Sequence, residues 1–483
     1  MSKSLSGKVL DGMKWKFTER ISVQIINALT PILLARLLTP NDFGVIAILM
    51  VFISIANTLV NNGLCTVIIQ RKNVDNDDCS TVFFTQFILS LLCYLVIFFA
   101  APFIANFYGN KDLCLMLRVL SVSVIIGSLS AMQITIMKKN MEFGKSFLIN
   151  VIGNVSYAIC GCGLAFKGYG AWSLIYATII NQTAISISSI ISINWRPKFV
   201  FSVIKLKKLF GYSWKLSVGW IIGTIHQDLY TLVVGKRFNS TVLGYYNRSS
   251  SIPSIILKTM SETVDNVMFP ALSQIQDEHT KLCKTTKIML STNAYLLCAL
   301  FFGLAATSEN IISILLTDKW LPAAPMMSIV CITYMLNALN NSNMQIFNAM
   351  GHSEIFMNFE IIKRSLSIIL LIICSYINIY AVLIGLTFMA LLSNVMNAYQ
   401  NKKLLGIPYR EQIGYILPYM ATGMVMAVII YLLGKSIENR LISLCVQIIS
   451  GAVIYVIVSI IFKFQPFQDI LQMITRIVKR DGM

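Results

Sequence analysis

Apolar stretches of about 20 residues recur from Ser80 to the end of the chain, each long enough to cross a hydrocarbon core of roughly 30 Å as an α-helix. Short polar connections separate them. Phe84 to Ala101 and Gly414 to Leu433 are almost continuously apolar, whereas a barrel strand would alternate in and out over about 10 residues. The pattern therefore predicts an all-α polytopic membrane protein. Fourteen spans are expected, near 14–36, 43–65, 80–106, 113–136, 146–166, 169–193, 213–236, 243–270, 286–306, 322–349, 355–377, 379–400, 412–434 and 441–462. The first, seventh and eighth carry charges and are weak by hydropathy.

Lysine and arginine set the orientation. With the N-terminus in the cytoplasm, clusters such as Lys138, Lys139 and Lys145, Lys205, Lys207 and Lys208, and Lys402 and Lys403 all fall on one side. The bias is roughly three to one, which predicts both termini inside a bacterial cytoplasmic membrane. Composition agrees: of 483 residues, 56% are hydrophobic and 12% charged, against about 25% charged in soluble domains. The net charge of +18 is read as contact with anionic headgroups, at about 1 kcal/mol per juxtamembrane cation, rather than with nucleic acid. The first residues, MSKSLSGKVLDGMKWKF, lack a cleavable signal, so the first span is expected to be retained. The 11 cysteines sit mostly in apolar runs and predict no disulfide framework.

An internal repeat divides the chain. LLARLLTPNDFGVI, from Leu33, lies over LVVGKRFNSTVLGYY, from Leu232, so that Gly44 falls on Gly244. Each copy follows a helix opening with Trp-Lys, at Trp15 and Trp214. MQITIMKKNMEF (Met132 to Phe143) likewise resembles MQIFNAMGHSEI (Met344 to Ile355). The expected organisation is an N-terminal six-helix lobe at 1–193, a cytoplasmic linker at 194–212, a C-terminal six-helix lobe at 213–401, and two extra helices with an amphipathic tail at 402–483. Face-to-face repeats with a site near mid-membrane are a recurring transporter plan. In the linker, Phe199, Ile204 and Leu209 interleave with lysines as in a segment lying on the membrane surface.

Charges at membrane depth cost at least about 2.5 kcal/mol each and tend to face an interior cavity. In the first span Lys16, Arg20, Gln24 and Asn27 share one helical stripe. In the eighth, Lys258, Glu262 and Asp265 do the same, with Arg248 nearer the outer end. His226 and Asp228 lie near the middle of the seventh, and Glu360, Lys363 and Arg364 near the inner end of the eleventh. Together they predict a polar, partly cationic translocation site. The structural alternatives are an intrahelical pair between Lys258 and Glu262, and headgroup anchoring of Lys16, Lys363 and Arg364. No catalytic residues are assigned. The three histidines lack metal-site spacing, Gly161 to Gly163 follows no strand, and the outer connection at 307–321 is too short for a catalytic domain.

LLARLLTPNDFGVIAI, GLCTVIIQRK (Gly63 to Lys72), DLYTLVVGKRFNSTVLGYYNRS (Asp228 to Ser249), VMFPALSQIQD (Val267 to Asp277) and LLTDKWLPAAPMM (Leu315 to Met327) resemble the polysaccharide-exporter family. Within it they look like the colanic-acid-exporter-like branch of lipid-linked repeat-unit flippases, in the multidrug, oligosaccharidyl-lipid and polysaccharide exporter superfamily. The resemblance implies two six-helix lobes and an undecaprenyl-pyrophosphate-linked oligosaccharide turned across the membrane by alternating access. It implies membrane lipids as surroundings, and a polymerase and chain-length regulator as further partners. It also implies that Asp228 occupies the family's acidic position in helix seven, in gating or in coupling to protons or sodium; no other cofactor is expected. The surrounding IHQD departs from the family wording and leaves the role of His226 open. The rival expectations are a drug or cation antiporter of the same superfamily, and a membrane-embedded polymerase or glycosyltransferase.

Overall fold

The computed structural model describes residue 26 and residues 29–350 and 353–480, with backbone alone at 62, 212, 215–216, 263–267, 269, 347–349, 353–358, 409 and 473–480. Helices follow one another with no strand among the described residues: α1 (29–37), α2 (Pro40–Gln70), α3 (Asn76–Tyr108), α4 (Asp112–Lys139), α5 (Phe143–Phe166), α6 (Ala171–Ser192) and α7 (Val203–Arg237). They continue as α8 (Ser240–Gln274), α9 (His279–Ala306), α10 (Ser308–Leu316), a 3-10 turn (Asp318–Trp320), α11 (Ala323–Ala349), α12 (Ser353–Ser375) and α13 (Ile379–Leu405). The last are α14 (Tyr409–Gly414), α15 (Leu417–Lys435), α16 (Arg440–Ile461) and α17 (Gln465–Arg480).

Among the described residues ten helices are long and apolar enough to cross a membrane. The charged α7 and α8 fall outside that set. So does α12, expected as an ordinary span: its side chains are described only over 359–375, a stretch that carries Glu360, Lys363 and Arg364. The connection at 307–321 is helical rather than a loop: α10 is held to α16 by Asn310, whose amide donates to Ser443 and Gln447 at 2.8 Å each.

By its contacts the chain forms two compact units, Met1–Gly244 and Tyr245–Met483. The first is built on Val45, Leu49, Ile53, Leu117, Leu120 and Ile175 from α2, α4 and α6. Its surface is inverted relative to a soluble protein. In α3, Gln86 and Ser90 are fully buried while Val96, Phe99 and Phe103 are exposed. Hydrocarbon gives no reward for burying such side chains, so small and hydroxyl-bearing residues make the helix contacts instead. Ser90 bonds Ser128 at 3.0 Å and Ser186 bonds Ser130 at 3.1 Å, joining α3 to α4 and α6 to α4. At the end of α2, Lys139 donates to the carbonyls of Ile68 (3.0 Å) and Arg71 (2.8 Å), satisfying acceptors that the helix leaves open.

The repeat is visible in local geometry. Thr39 caps α2 by accepting from Asp42 N, and Asn239 caps α8 by accepting from Val242 N, each such cap contributing about 1 kcal/mol. Leu34 and Phe43 are buried in one copy, Val234 and Leu243 in the other. The second pair of repeat segments matches less closely, although Gln133 and Gln345 are both buried.

Of the expected linker, the second half is helical and continuous with α7, while Phe199 and Ile204 are exposed. Residues 193–202 run as a non-helical strap with a bend at Phe199, and from Val203 the chain is already α7. The strap is fastened to the start of α3: Lys198 N donates to Ser80, Ser202 N to Thr81, and Trp195 and Phe199 pack on Phe83 and Phe84. Lys205 then reaches Asp75 at 2.6 Å, with Asp77 at 3.5 Å and Asp78 at 3.9 Å.

In the second unit the two extra spans, α15 and α16, are packed onto α9 rather than standing apart. Tyr455 of α16 donates to the carbonyl of Tyr295 at 2.8 Å, and Tyr295 and Tyr419 meet edge to face. A second apolar cluster, Leu272, Met289, Leu290, Ile346 and Leu405, joins α8, α9, α11 and α13.

Candidate functional site

Helix α7 lies along α2 through one continuous row of small and polar residues. A Cβ at Gly63 would stand 1.9 Å from Ser217 Oγ, Thr58 and Thr224 share a hydrogen bond at 3.2 Å, Ser54 donates to Asp228, and Gly235 abuts Ile48. These positions recur every few residues on each helix, so each set forms one face. Both ends of α7 are tied to α3, by Lys205 at one end and by Tyr108, whose hydroxyl donates to Leu232 O at 3.2 Å, at the other.

Asp228 is thus held half-buried in the middle of a hydroxyl ladder. The Ser54 hydroxyl has a single proton and two acceptors, Asp228 Oδ2 and the Val51 carbonyl at 2.9 Å. Such a carboxylate can exchange a proton or hold a small cation without dismantling the helix contact. His226, two residues earlier, is half-buried with its ring edge-on to Tyr230, centroids 6.5 Å apart.

The second unit holds the other candidates. Lys363 is 7% exposed, which rules out headgroup anchoring. Its ammonium donates to Asn397 Oδ1 at 2.7 Å and lies 3.7 Å from Glu360, whose other oxygen is 3.4 Å from Arg364. Asn397 passes the network to Asn340 of α11 at 2.6 Å. One carboxylate between two cations leaves a net positive group in the unit. On α8, Arg248 and Glu262 are half-buried and Lys258 is exposed, while Asp265 is described by its backbone alone. Lys16, Arg20, Gln24 and Asn27 lie outside the described residues. Among the described residues no cluster of three side chains could hold a metal ion.

Sequence reasoning misses the neutral partners Ser54, Thr58, Thr224, Asn340 and Asn397. A signal for the last two exists in Asn394, Asn397 and Asn401, spaced three and four apart on α13, opposite Asn340 and Asn343 on α11. Asn394 donates to Leu336 O at 2.8 Å and Asn401 to Asn343 at 2.9 Å. Arg118 is a missed charge of another kind. It is satisfied by Phe98, whose carbonyl accepts at 3.2 Å and whose ring lies 4.0 Å below the guanidinium.

The chain is similar to several known proteins along most of its length. The chain is 24% identical to the lipopolysaccharide biosynthesis protein WzxC of Escherichia coli K12 over 450 residues, covering 91% of this chain and 90% of the relative. It is 22% identical to the succinoglycan biosynthesis transport protein ExoT of Rhizobium meliloti, covering 69% and 68%. Its fold is similar to that of the lipid II flippase MurJ in an inward closed conformation, with a TM-score of 0.77, 18% identity, and coverage of 96% and 100%. A family model described as polysaccharide biosynthesis protein matches residues 33–325. That match takes in the α2–α7 row with Asp228 and all four candidates on α8, and the chain belongs to the polysaccharide biosynthesis protein family.

Proposed function

We propose that this protein is a flippase that moves undecaprenyl-pyrophosphate-linked oligosaccharide repeat units across the bacterial cytoplasmic membrane for assembly of a surface polysaccharide. The observation that carries the reading is the family match, which begins at residue 33 and takes in α2 through α10. Relatives named for lipopolysaccharide biosynthesis and for succinoglycan transport support it, as does the similarity to a lipid II flippase along 96% of the chain.

The physical requirements agree. A polyprenyl chain is as apolar as the bilayer and can stay in it, so the cost of crossing lies in the pyrophosphate and the sugars. Cationic groups at depth reduce that cost, and Lys16, Arg20, Arg248, Lys258, Lys363 and Arg364 are the residues proposed to do so. Asp228 on the α2–α7 row is proposed as the gating or ion-coupling group, with protons or sodium as the ion. The six-helix lobes at 1–193 and 213–401 alternate the site between the two faces, both termini lying in the cytoplasm. The protein then acts by transport, without covalent chemistry, handing its substrate to a polymerase and chain-length regulator. Among the described residues the connections between helices are short.

The test is the sidedness of the lipid-linked oligosaccharide in a deletion strain, scored with a probe that cannot cross the membrane. Accumulation on the cytoplasmic side, restored by the intact gene, is the expected result. Unchanged sidedness together with an altered or missing glycan would reject transport in favour of enzymatic assembly.

A further inference from the structure

The second unit contains a crevice of about 750 Å³, lined by both charged and apolar residues, at the lysine-rich end of α9, closed on one side by the α14–α15 junction and on another by the first turns of α17. We propose that this crevice binds the headgroup of phosphatidylethanolamine, as a bound lipid of the bilayer distinct from the transported substrate. The inference does not depend on the transport reading.

Two ammonium groups, Lys284 and Lys287, and two carboxylates, Glu411 and Asp469, line the crevice. Among the described residues no ion pair within 4 Å joins either lysine to either carboxylate. Among the described residues, the contacts recorded for Lys287, Glu411 and Asp469 are with neutral groups. Lys287 lies over the Tyr415 ring at 5.1 Å, the Tyr415 hydroxyl donates to Glu411, and Gln465 reaches Asp469 at 3.5 Å. Opposite charges that share a crevice without closing on one another leave room for a ligand that carries both signs.

A phosphoethanolamine group has that character. Its phosphate takes charge-assisted bonds from Lys284 and Lys287, and its primary ammonium has three N–H donors for Glu411 and Asp469. A choline headgroup has no such donors. A glycerol headgroup has hydroxyl donors but no cation, so its net negative charge would meet two carboxylates with nothing to balance them. The placement suits a lipid as well. On α17 the apolar Phe467, Ile470 and Leu471 alternate with Gln468, Asp469 and Gln472, the pattern of a helix lying in the interfacial plane. Pro466, in the first turn of that helix, is buried in the crevice wall.

The experiment is native mass spectrometry of the full chain released from nanodiscs of equal phosphatidylethanolamine and phosphatidylglycerol, repeated with phosphatidylcholine in place of the first lipid. Retention of phosphatidylethanolamine about tenfold over either alternative is expected. The pair Lys284→Gln and Lys287→Gln should lose it, whereas Glu411→Gln with Asp469→Asn should switch the preference to phosphatidylglycerol. That opposite change separates a specific site from general loss of fold, and an unchanged thermal transition confirms that both variants are folded. Equal retention of ethanolamine and choline lipids would overturn the proposal, as would retention that ignores both variant pairs. Displacement of the lipid by millimolar inorganic phosphate, with no effect of soluble phosphoethanolamine beyond it, would mark a simple anion site and also overturn it.

Discussion

Gly44 and Gly244, equivalent positions of the repeat, pack reciprocally: a Cβ at Gly44 would lie 1.6 Å from Ser240 O, and one at Gly244 would lie 1.9 Å from Pro40 O. Each glycine therefore admits the backbone that opens the other copy's helix. Backbone cannot swing aside as a side-chain tip can, so Gly44→Ala and Gly244→Ala are each expected to cost about 3 kcal/mol, the upper part of the overpacking range. Gly163, in α5, has nothing within 4 Å of its missing Cβ, and Gly163→Ala should be neutral or stabilising by a few tenths of a kcal/mol up to about 1. Thermal unfolding of the three purified variants in one detergent checks this. A transition for Gly44→Ala at or above that of Gly163→Ala would refute the packing argument.

The Ser54–Asp228 contact separates charge from packing. Asp228→Asn keeps the shape and an acceptor for the Ser54 hydroxyl but removes the charge. If the charge gates or couples transport, glycan export should fall by about tenfold or more at matched protein abundance. Ser54→Ala leaves the carboxylate and removes one hydrogen bond, a net of about 1 kcal/mol, so export should fall by about fivefold at most. Lys258→Ala, at an exposed position of α8, should reduce export without changing insertion. Equal losses in Asp228→Asn and Ser54→Ala would assign the contact to packing alone.

What the sequence reveals and what it hides divides along physical lines. The spans are legible because hydrocarbon demands about 20 apolar residues per crossing and punishes interruption. The repeat is legible because a glycine forced by backbone contact cannot drift, which is why Gly44 and Gly244 keep their register. Asp228 is conspicuous as a carboxylate in an apolar helix, yet Ser54 is not. Hydroxyls on membrane helices bond the preceding turn so often that one more gives no signal, and the partner is 174 residues away. The burial of Lys363 depends on Asn397, and the asparagine spacing on α13 marks a polar face without saying which cation it receives. The strap at 193–202 escapes for the same reason: its anchors, Ser80 and Thr81, lie in what reads as the start of another span.

The buried Lys363 predicts an asymmetric mutational result. Lys363→Ala strands the Asn397 carbonyl oxygen and leaves Glu360 with Arg364 as its remaining cation. Breaking a buried pair in this way costs about 3 kcal/mol. Asn397→Ala removes one acceptor from the ammonium and should cost less, about 1 to 2 kcal/mol. In the combined variant Lys363→Met and Glu360→Gln neither charge remains to be desolvated, so stability should recover toward the parent. A double variant no more stable than Lys363→Ala would show that the network is held by shape rather than by charge. Thermal unfolding with export measured in parallel distinguishes a structural lysine from one that also meets substrate.

The strap anchored by Lys205 and Asp75 makes a prediction in pH and salt. The hydrogen bond from Lys205, reinforced by Asp78 N, holds the Asp75 carboxyl below its ordinary range, and the same bond raises the Lys205 ammonium above its own. A depressed carboxyl contributes stability above its unfolded value, near pH 4, and loses it as pH falls through the folded value. A raised lysine contributes fully below its unfolded value, near 10.4, and loses it as pH rises beyond. Anchorage should therefore be flat from about pH 5 to 9 and released on either side. Asp75 is exposed and Lys205 partly so, and high salt should therefore loosen the strap within that window. The readout is hydrogen exchange at Lys198 and Ser202, whose amides donate to Ser80 and Thr81. Lys205→Met and Asp75→Asn should each accelerate exchange there at pH 7, and their combination should add little, because either change alone breaks the same bond. Protection that survives Lys205→Met would transfer the anchoring role to the aromatic contacts of Trp195 and Phe199.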